Sequence, residues 1–481
     1  MGMKLYIDGT CAEGKGEMME VRNPATGKVI VSFRGASVEQ AEEALQSAKR
    51  ANKSWSRTSL NERVSWIQKL KAELFRDKDE IIELLSAEGG RSDAESLVDF
   101  NILIETLDFY PEEAKRIYNT GLPSYGTHCD EAVTVIHRPI GVVVSHLAWN
   151  APYFNAGNKL APAMASGCPC ILRPSAETPM ATLKIGELCE RIGLPAGAVN
   201  ILSGPSRVIG TYLSASTIPA MVSLIGSTET GKQIIREAST SVKRYSLELG
   251  GNSPCILMPD CDIDATAKFV AVRKRKNAGQ GCANINRIFV HESIHDEFVE
   301  KLVAEVRKIQ VGWGKEYGSE VMGAQMTRSS RDRLLDMAAE AVQQGAKLLY
   351  GGTVPALPAH LQDGYFMMPT VLDCCTDDMR AAKEELFGPV FTILIFKDLD
   401  EVLERANDTE FGLASLLFTH DARTMLKCAQ GLDFGMININ GPSIDGANMP
   451  HCGVKNSGVG CVRSKWAMEE YYNIHRVGIK P

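Results

Sequence analysis

The sequence predicts an α/β fold of two large lobes, and three observations predict it. At 481 residues the chain exceeds what one ordinary hydrophobic core holds, so at least two lobes with a cleft between them are expected. Its 44% apolar and 23% charged content, with 42 Gly and 21 Pro, is that of a globular α/β protein. From Ile140 onward, short apolar runs alternate with stretches of helical length, the pattern of parallel strands covered by helices.

In chain order, Ser37 and Gln40 form a capping box ahead of Val38, Ala41, Leu45 and Ala48, which share one helical face. A second helix is predicted from about Asn61 to Ser86. The first strand series is Gly141–Val144, Cys168–Leu172, Val199–Leu202 and Met221–Ile225, and each run ends in turn or polar residues: Ser145-His146, Arg173-Pro174-Ser175, Ser203-Gly204-Pro205 and Gly226-Ser227-Thr228. Ligands gather at the carboxyl ends of parallel strands, which makes these four ends the first place to seek a cofactor. A second series, Cys255–Leu257, Arg287–Val290, Thr370–Leu372, Val390–Phe396 and Met436–Ile439, forms the other lobe.

Charge and cysteine usage exclude several functions. A net charge of −7 on so large a chain suggests neither nucleic acid nor a membrane surface as partner, which leaves a small molecule. The 13 Cys show no spacing that reads as a disulfide framework or a zinc site. The amino terminus lacks a signal-peptide pattern and no run approaches about 18 apolar residues, so a cytoplasmic, reduced protein is expected.

Two motifs carry chemistry. Gly226-Ser-Thr-Glu-Thr-Gly231 follows a strand and opens a helix, whose free N–H groups and dipole suit a pyrophosphate; it also reads as a structural turn. In Asn277-Ala-Gly-Gln-Gly-Cys282, glycines on both sides of Gln280 leave the backbone free to approach a ligand. A lone Cys is ordinarily a small buried apolar residue, and Glu248 in Leu247-Glu-Leu-Gly-Gly251 is alone an ordinary carboxylate before a turn.

Taken together, Ala148-Trp-Asn150, GSTETG, LELGG, NAGQGC and Glu384-Glu-Leu-Phe-Gly-Pro-Val390 resemble the aldehyde dehydrogenase superfamily in order and approximate spacing. The match extends to Asn23-Pro-Ala-Thr-Gly27, Gly435-Met-Ile-Asn-Ile-Asn440 and Lys455-Asn-Ser-Gly458. The resemblance implies a Rossmann-like cofactor domain (1–120 and 140–249), an α/β catalytic domain (250–445) and a small β oligomerisation element with bridging segments (121–139 and 446–481). It implies a non-acylating enzyme of the semialdehyde or lactaldehyde dehydrogenase type, which uses NAD or NADP, needs no metal and forms a homodimer or homotetramer.

By the same resemblance, Cys282 is the nucleophile, Asn150 and the Cys282 N–H stabilise the oxyanion, and Glu248 activates water to hydrolyse a thioester. Trp149, Arg173, Ser175, Ala176, Gly226, Ser227, Leu249, Glu385 and Phe387 stand at cofactor positions. Arg173 replaces the usual lysine, and Ala176 replaces the glutamate that binds the adenine-ribose hydroxyls in NAD-preferring members; nothing obvious then repels a 2'-phosphate, which admits NADP, and the alternative is that Glu177 swings in and restores NAD preference.

Ala151, Asn155, Asn158, Lys276, Asp445 and His451 occupy substrate positions that are often aromatic or apolar in members acting on simple aliphatic aldehydes. Such a wall calls for a substrate with hydroxyl or charged groups. Arg273-Lys-Arg-Lys276 supports an anion: four successive helical residues sweep roughly 300° and cannot all face solvent. The alternative for that run is a solvated basic turn with acid partners. Asn158 and Asn284 replace an arginine and a second cysteine typical of succinate-semialdehyde dehydrogenases, so a small lactaldehyde-type substrate is expected instead. The rivals are a coenzyme A-acylating member, which commonly lacks the Glu248 equivalent, and a cofactor-binding scaffold with a vestigial site.

Overall fold

The computed structural model describes residues 2–123, 132–441 and 446–480. Its larger sheet has eight strands in the order Thr10–Ala12, Leu5–Ile7, Val199–Ile201, Cys170–Arg173, Val143–His146, Met221–Ile225, Arg244–Glu248 and Gly458–Val459. The five strands from Val199–Ile201 to Arg244–Glu248 are parallel, and antiparallel strands close both edges. Chain order reverses between Val143–His146 and Met221–Ile225, which opens a crevice at their carboxyl ends.

The second sheet has seven strands in the order Lys347–Tyr350, Thr370–Asp373, Val390–Phe396, Ile285–His291, Ser253–Leu257, Ala414–Phe418 and Met436–Ile439; only the first pairs antiparallel. Its register explains the unbroken apolar runs. Cys255, Ile288 and Ile393 are aligned neighbours facing one core, while Ile256, Phe289 and Leu394, one residue on, face the core on the other side. A parallel strand buried on both faces cannot alternate apolar with polar.

A third, three-stranded antiparallel sheet joins Thr120–Leu122, Ala132–Pro139 and Tyr472–Ile479. Ile474 and Ile479 are exposed on it. No helix of the described residues is long and apolar enough to cross a membrane.

The capping box at Ser37 is present and starts the helix Val38–Trp55. The helix predicted over 61–86 is two, Leu60–Arg76 and Lys78–Gly89, broken at Asp77 (φ −97, ψ 17). No Gly or Pro marks the break. The Asp77 carboxylate instead pairs with Arg191 at 2.9 Å and Lys184 at 3.1 Å, both on a helix more than a hundred residues away in sequence. The cysteine reading also needs correction: Cys452 and Cys461 form a disulfide. They sit on two-residue strands paired side by side, a proximity that spacing alone does not reveal.

Candidate active site

The crevice holds two adjoining cavities. One of about 380 Å³ is lined by Trp149, Arg173, Ser175, Gly226 and Ser227, and by Arg207 and Glu237, which the sequence reading missed. The other, about 230 Å³, is lined by Trp149, Gly226, Ser227, Leu249, Glu385 and Phe387 and reaches Asn150, Glu248 and Cys282. Ser227 caps the helix Thr228–Ala238, its Oγ accepting from the Thr230 N–H at 3.2 Å. Ala176 lines neither cavity; it packs against the hydrophobic core of the first lobe. Glu177 lines neither as well, and its carboxylate accepts from the Ser175 hydroxyl. Arg173 is buried, donates to Ser206 Oγ, and burial lowers its pKa to about 10.

Glu385 reaches the crevice from the second lobe. Its Oε1 accepts from the Gly251 N–H at 3.0 Å, and burial pushes its carboxyl up to about 7. Arg333 holds the loop by donating to the Leu386 carbonyl at 2.7 Å, and Phe387, at φ 52, sets its ring edge-on to Trp149 with centroids 5.3 Å apart. The glycine pair of LELGG has a separate reason at each position. A Cβ on Gly250 would lie 2.8 Å from Glu385 Oε2, and one on Gly251 would lie 2.6 Å from the Cys282 carbonyl oxygen.

Cys282 follows a tight turn in which Asn277 and Ala278 take left-handed backbone (φ 48 and 49), a strained conformation for non-glycine residues. Gly279 (φ 76) is required because its Cα abuts the Gly388 backbone, so its close approach is to protein and not to a ligand. Asn277 Nδ2 donates to the Asn150 carbonyl at 3.1 Å, which ties the cysteine turn to the Asn150 loop. Asn155 Nδ2 faces Asn150 Oδ1 at 3.5 Å and leaves the Asn150 amide N–H groups for another acceptor.

Glu248, at the end of its strand and only 2% exposed, lies beside Cys282. Burial alone would raise its pKa. Donation and charge from His451, helped by Cys282 and Lys159, hold it below the ordinary carboxylate value. Burial, and then the Glu248 charge, push the Cys282 thiol well above its usual range, so the resting residue is a thiol. His451 Nε2 stands between them, 3.8 Å from Cys282 Sγ and 3.1 Å from Glu248 Oε1. Beneath lies Lys159, fully buried, its pKa lowered to about 8 by burial against the nearby charges of Glu470 and Glu248. Sequence reasoning passed over Lys159 because a lysine inside a helix ordinarily reads as solvated.

A third cavity of about 470 Å³ opens on the far side of Cys282, and Ala151, Asn155, Lys276 and His451, four of the residues expected at substrate positions, line it. Asn158 does not reach it. This buried side chain donates to the Phe154 carbonyl one turn back, because the residue at that helical position faces the interior. Asp445 lies outside the described residues. Val98, Ile102, Glu105, Phe154 and Arg463 also line the cavity and were missed. Val98, Ile102 and Glu105 recur at helical spacing, a signal in principle visible. Arg463 sits at φ 61 with its guanidinium 4.7 Å above the Phe154 ring, a placement no local pattern announces.

The basic run divides. Arg273 and Lys276 face the cavity, whereas Lys274 is buried and donates to the Gly388 carbonyl, and Arg275 pairs with Glu320. Among the described residues that line it, the cavity carries the cations of Arg273, Lys276 and Arg463 and the carboxylates of Glu105 and Glu248.

Comparison with known proteins agrees with this architecture. Residues 11–477 match the sequence model described as the aldehyde dehydrogenase family. The chain is 35% identical to a 3-sulfolactaldehyde dehydrogenase of Pseudomonas putida, covering 98% of this chain and 96% of that protein. It is 33% identical to the NADP(+) succinate-semialdehyde dehydrogenase of Escherichia coli, over 95% and 94% of the two chains. The crystal structure of lactaldehyde dehydrogenase from Escherichia coli superposes with a TM-score of 0.95 at 30% identity, over 99% of both chains. With a full-length family match and relatives above 30% identity, this chain belongs to the aldehyde dehydrogenase family.

Proposed function

We propose that this aldehyde dehydrogenase oxidises a small anionic or hydroxylated aldehyde to the free acid with NAD or NADP, through a covalent thioester on Cys282. One observation carries the reading: the 230 Å³ crevice cavity and the 470 Å³ cavity share Asn150, Glu248 and Cys282 in their walls, so a cofactor on one side and an aldehyde on the other meet at those residues.

The crevice suits a nicotinamide dinucleotide. A capped helix terminus offers N–H groups for a pyrophosphate at Ser227, and the Glu385 carboxyl can accept ribose hydroxyls beside the Trp149 and Phe387 rings. When bound, the nicotinamide supplies a hydride acceptor. The rest is the work of this chain's residues. A base must take the Cys282 proton, since burial and Glu248 hold the thiol protonated; Glu248, with His451 bridging, is in reach. The thiolate adds to the aldehyde carbon while Asn150 Nδ2 and the Cys282 N–H hold the oxyanion. Departure of hydride leaves a thioester; Glu248, once the proton taken from Cys282 has passed to solvent, takes a proton from the water that hydrolyses it, and the Cys282 sulfur is the leaving group.

Arg273, Lys276 and Arg463 favour a carboxylate, sulfonate or phosphate on the substrate, and His451 and Asn155 favour a hydroxyl. The relatives named for sulfolactaldehyde, succinate semialdehyde and lactaldehyde are of that chemistry. Arg173 and Arg207, which share the crevice with the single carboxylate of Glu237 among its described lining, favour NADP. The exposed edge of Tyr472–Ile479, with Ile474 and Ile479 bare, supports a homo-oligomer. A cytoplasmic setting accords with the free thiols among the described cysteines, the Cys452–Cys461 disulfide being the exception.

The test is an aldehyde panel run with NAD and NADP in parallel, with and without coenzyme A. Acid should form without coenzyme A, fastest from an anionic aldehyde. A strict coenzyme A requirement would establish the acylating reading, and no aldehyde-dependent reduction across the panel would favour a vestigial scaffold.

A further inference from the structure

Glu248, Cys282 and His451 present a carboxylate oxygen, a sulfur and an imidazole nitrogen that all lie within 4.8 Å of one another, the one such mixed group among the described residues. From this geometry we infer that the catalytic trio is also a zinc(II) site, and that zinc bound there reversibly closes the enzyme. The zinc site rests on geometry; its inhibitory effect rests on the reading of Cys282 as nucleophile.

Zinc takes thiolate sulfur at about 2.3 Å and imidazole nitrogen or carboxylate oxygen at about 2.0–2.2 Å in a tetrahedron. Such lengths place neighbouring ligand atoms about 3.3–3.6 Å apart. Here Sγ and Nε2 are 3.8 Å apart, and Nε2 and Oε1 are 3.1 Å apart, so those two edges close with shifts of a few tenths of an ångström. The ligands arrive on three separately anchored segments. Glu248 ends a sheet strand, Cys282 follows the turn tied to Asn150 by Asn277, and His451 precedes a cysteine held by disulfide to Cys461. The 470 Å³ cavity gives a path of entry and room for a water as fourth ligand.

Binding is a ligand exchange without redox change. The Cys282 S–H bond and the His451 Nε2–H bond that points at Glu248 break, both protons leave to solvent with the imidazole keeping its proton on Nδ1, and the freed lone pairs of sulfur and Nε2 bond the metal. Thiolate and carboxylate then neutralise the two charges of zinc, with His451 bound as the neutral imidazole. The same event takes the nucleophile and the Glu248 carboxylate out of use. The soft sulfur and the imidazole select zinc over magnesium or calcium.

The test uses the full-length protein freed of reductant and metal, so that the Cys452–Cys461 disulfide stays closed. Cobalt(II) alone is titrated as a coloured zinc probe. One cobalt per chain should bind with a thiolate-to-metal charge-transfer band. The band should vanish in Cys282→Ala, and affinity should fall at least about 10-fold in His451→Phe and Glu248→Gln, each checked for folding by circular dichroism. Should either ligand variant fail to fold, protection of wild-type Cys282 from iodoacetamide by zinc(II), mapped by mass spectrometry, gives the same answer. Micromolar zinc should suppress aldehyde oxidation, and a chelator should restore it. A cobalt band that survives in Cys282→Ala, or no thiolate band in wild type, overturns the site and leaves the nucleophile reading standing. Cobalt held by Cys282 with aldehyde oxidation undiminished overturns the inhibition, and with it that reading.

Discussion

Replacing Gly251 by alanine should disable the enzyme from a position that never touches substrate. The added methyl would lie 2.6 Å from the Cys282 carbonyl oxygen and 3.2 Å from Leu413 Cβ. The nearer contact is backbone, which no rotamer change relieves. Restoring an ordinary separation moves the Cys282 peptide by about half an ångström or more, in a turn already holding two residues at positive φ. Overpacking of this kind costs about 1–3 kcal/mol of stability. A misplacement approaching 1 Å at reacting atoms costs about 100-fold in rate, so a fall in kcat of about 10- to 100-fold is expected. Initial rates of NAD(P)H formation read the loss, and thermal unfolding reads the stability. Gly121→Ala, where nothing lies within 4 Å, is the control. Wild-type kcat and wild-type Tm in Gly251→Ala would refute the claim that this glycine makes room for the Cys282 backbone.

Cys282→Ala should abolish turnover by about 10⁴-fold or more while circular dichroism stays native; residual oxidation near the wild-type rate would assign the chemistry elsewhere. Lys276→Ala should raise the KM for an anionic aldehyde about 5- to 30-fold, since Lys276 is exposed and its pull is screened to about 1–2 kcal/mol, and should spare a neutral aldehyde of equal size. Equal effects on both would remove the anion from the proposal. Arg207→Ala should lower kcat/KM for NADP about 10-fold more than for NAD, as expected when a phosphate partner is lost. A variant with unchanged cofactor preference would leave the choice to other groups. Buried Glu88, whose carboxyl burial pushes from 4.5 up to about 8, makes stability pH-dependent. The folded chain keeps a proton that the unfolded chain loses, so this contribution is present below pH about 4.5 and is lost as pH rises through about 8. Glu88→Gln should flatten that part of the Tm-against-pH profile, and an unchanged slope would place it on another group.

Legibility followed the range of the interaction. A capping box reads locally because Ser37 and Gln40 bond each other's backbone, and the apolar strand runs read locally because burial on both faces leaves no alternation. The break at Asp77 and the Cys452–Cys461 bond did not read, since each depends on partners that folding supplies. Asn158 shows the same limit from the other side: its residue type suited a polar wall, but the helix turns it inward.

By itself the sequence determined the two strand series, the family resemblance and the residues at the ends of the strands, because those signals are carried by neighbours in the chain. Tertiary structure alone decided that His451 stands between Cys282 and Glu248, that Arg463 joins Arg273 and Lys276 in one cavity, and that burial and the Glu248 charge push the Cys282 thiol up. The physical reason is common to all three. Distance and burial set the strength of a charge or a hydrogen bond, and both quantities exist only once the chain has closed on itself.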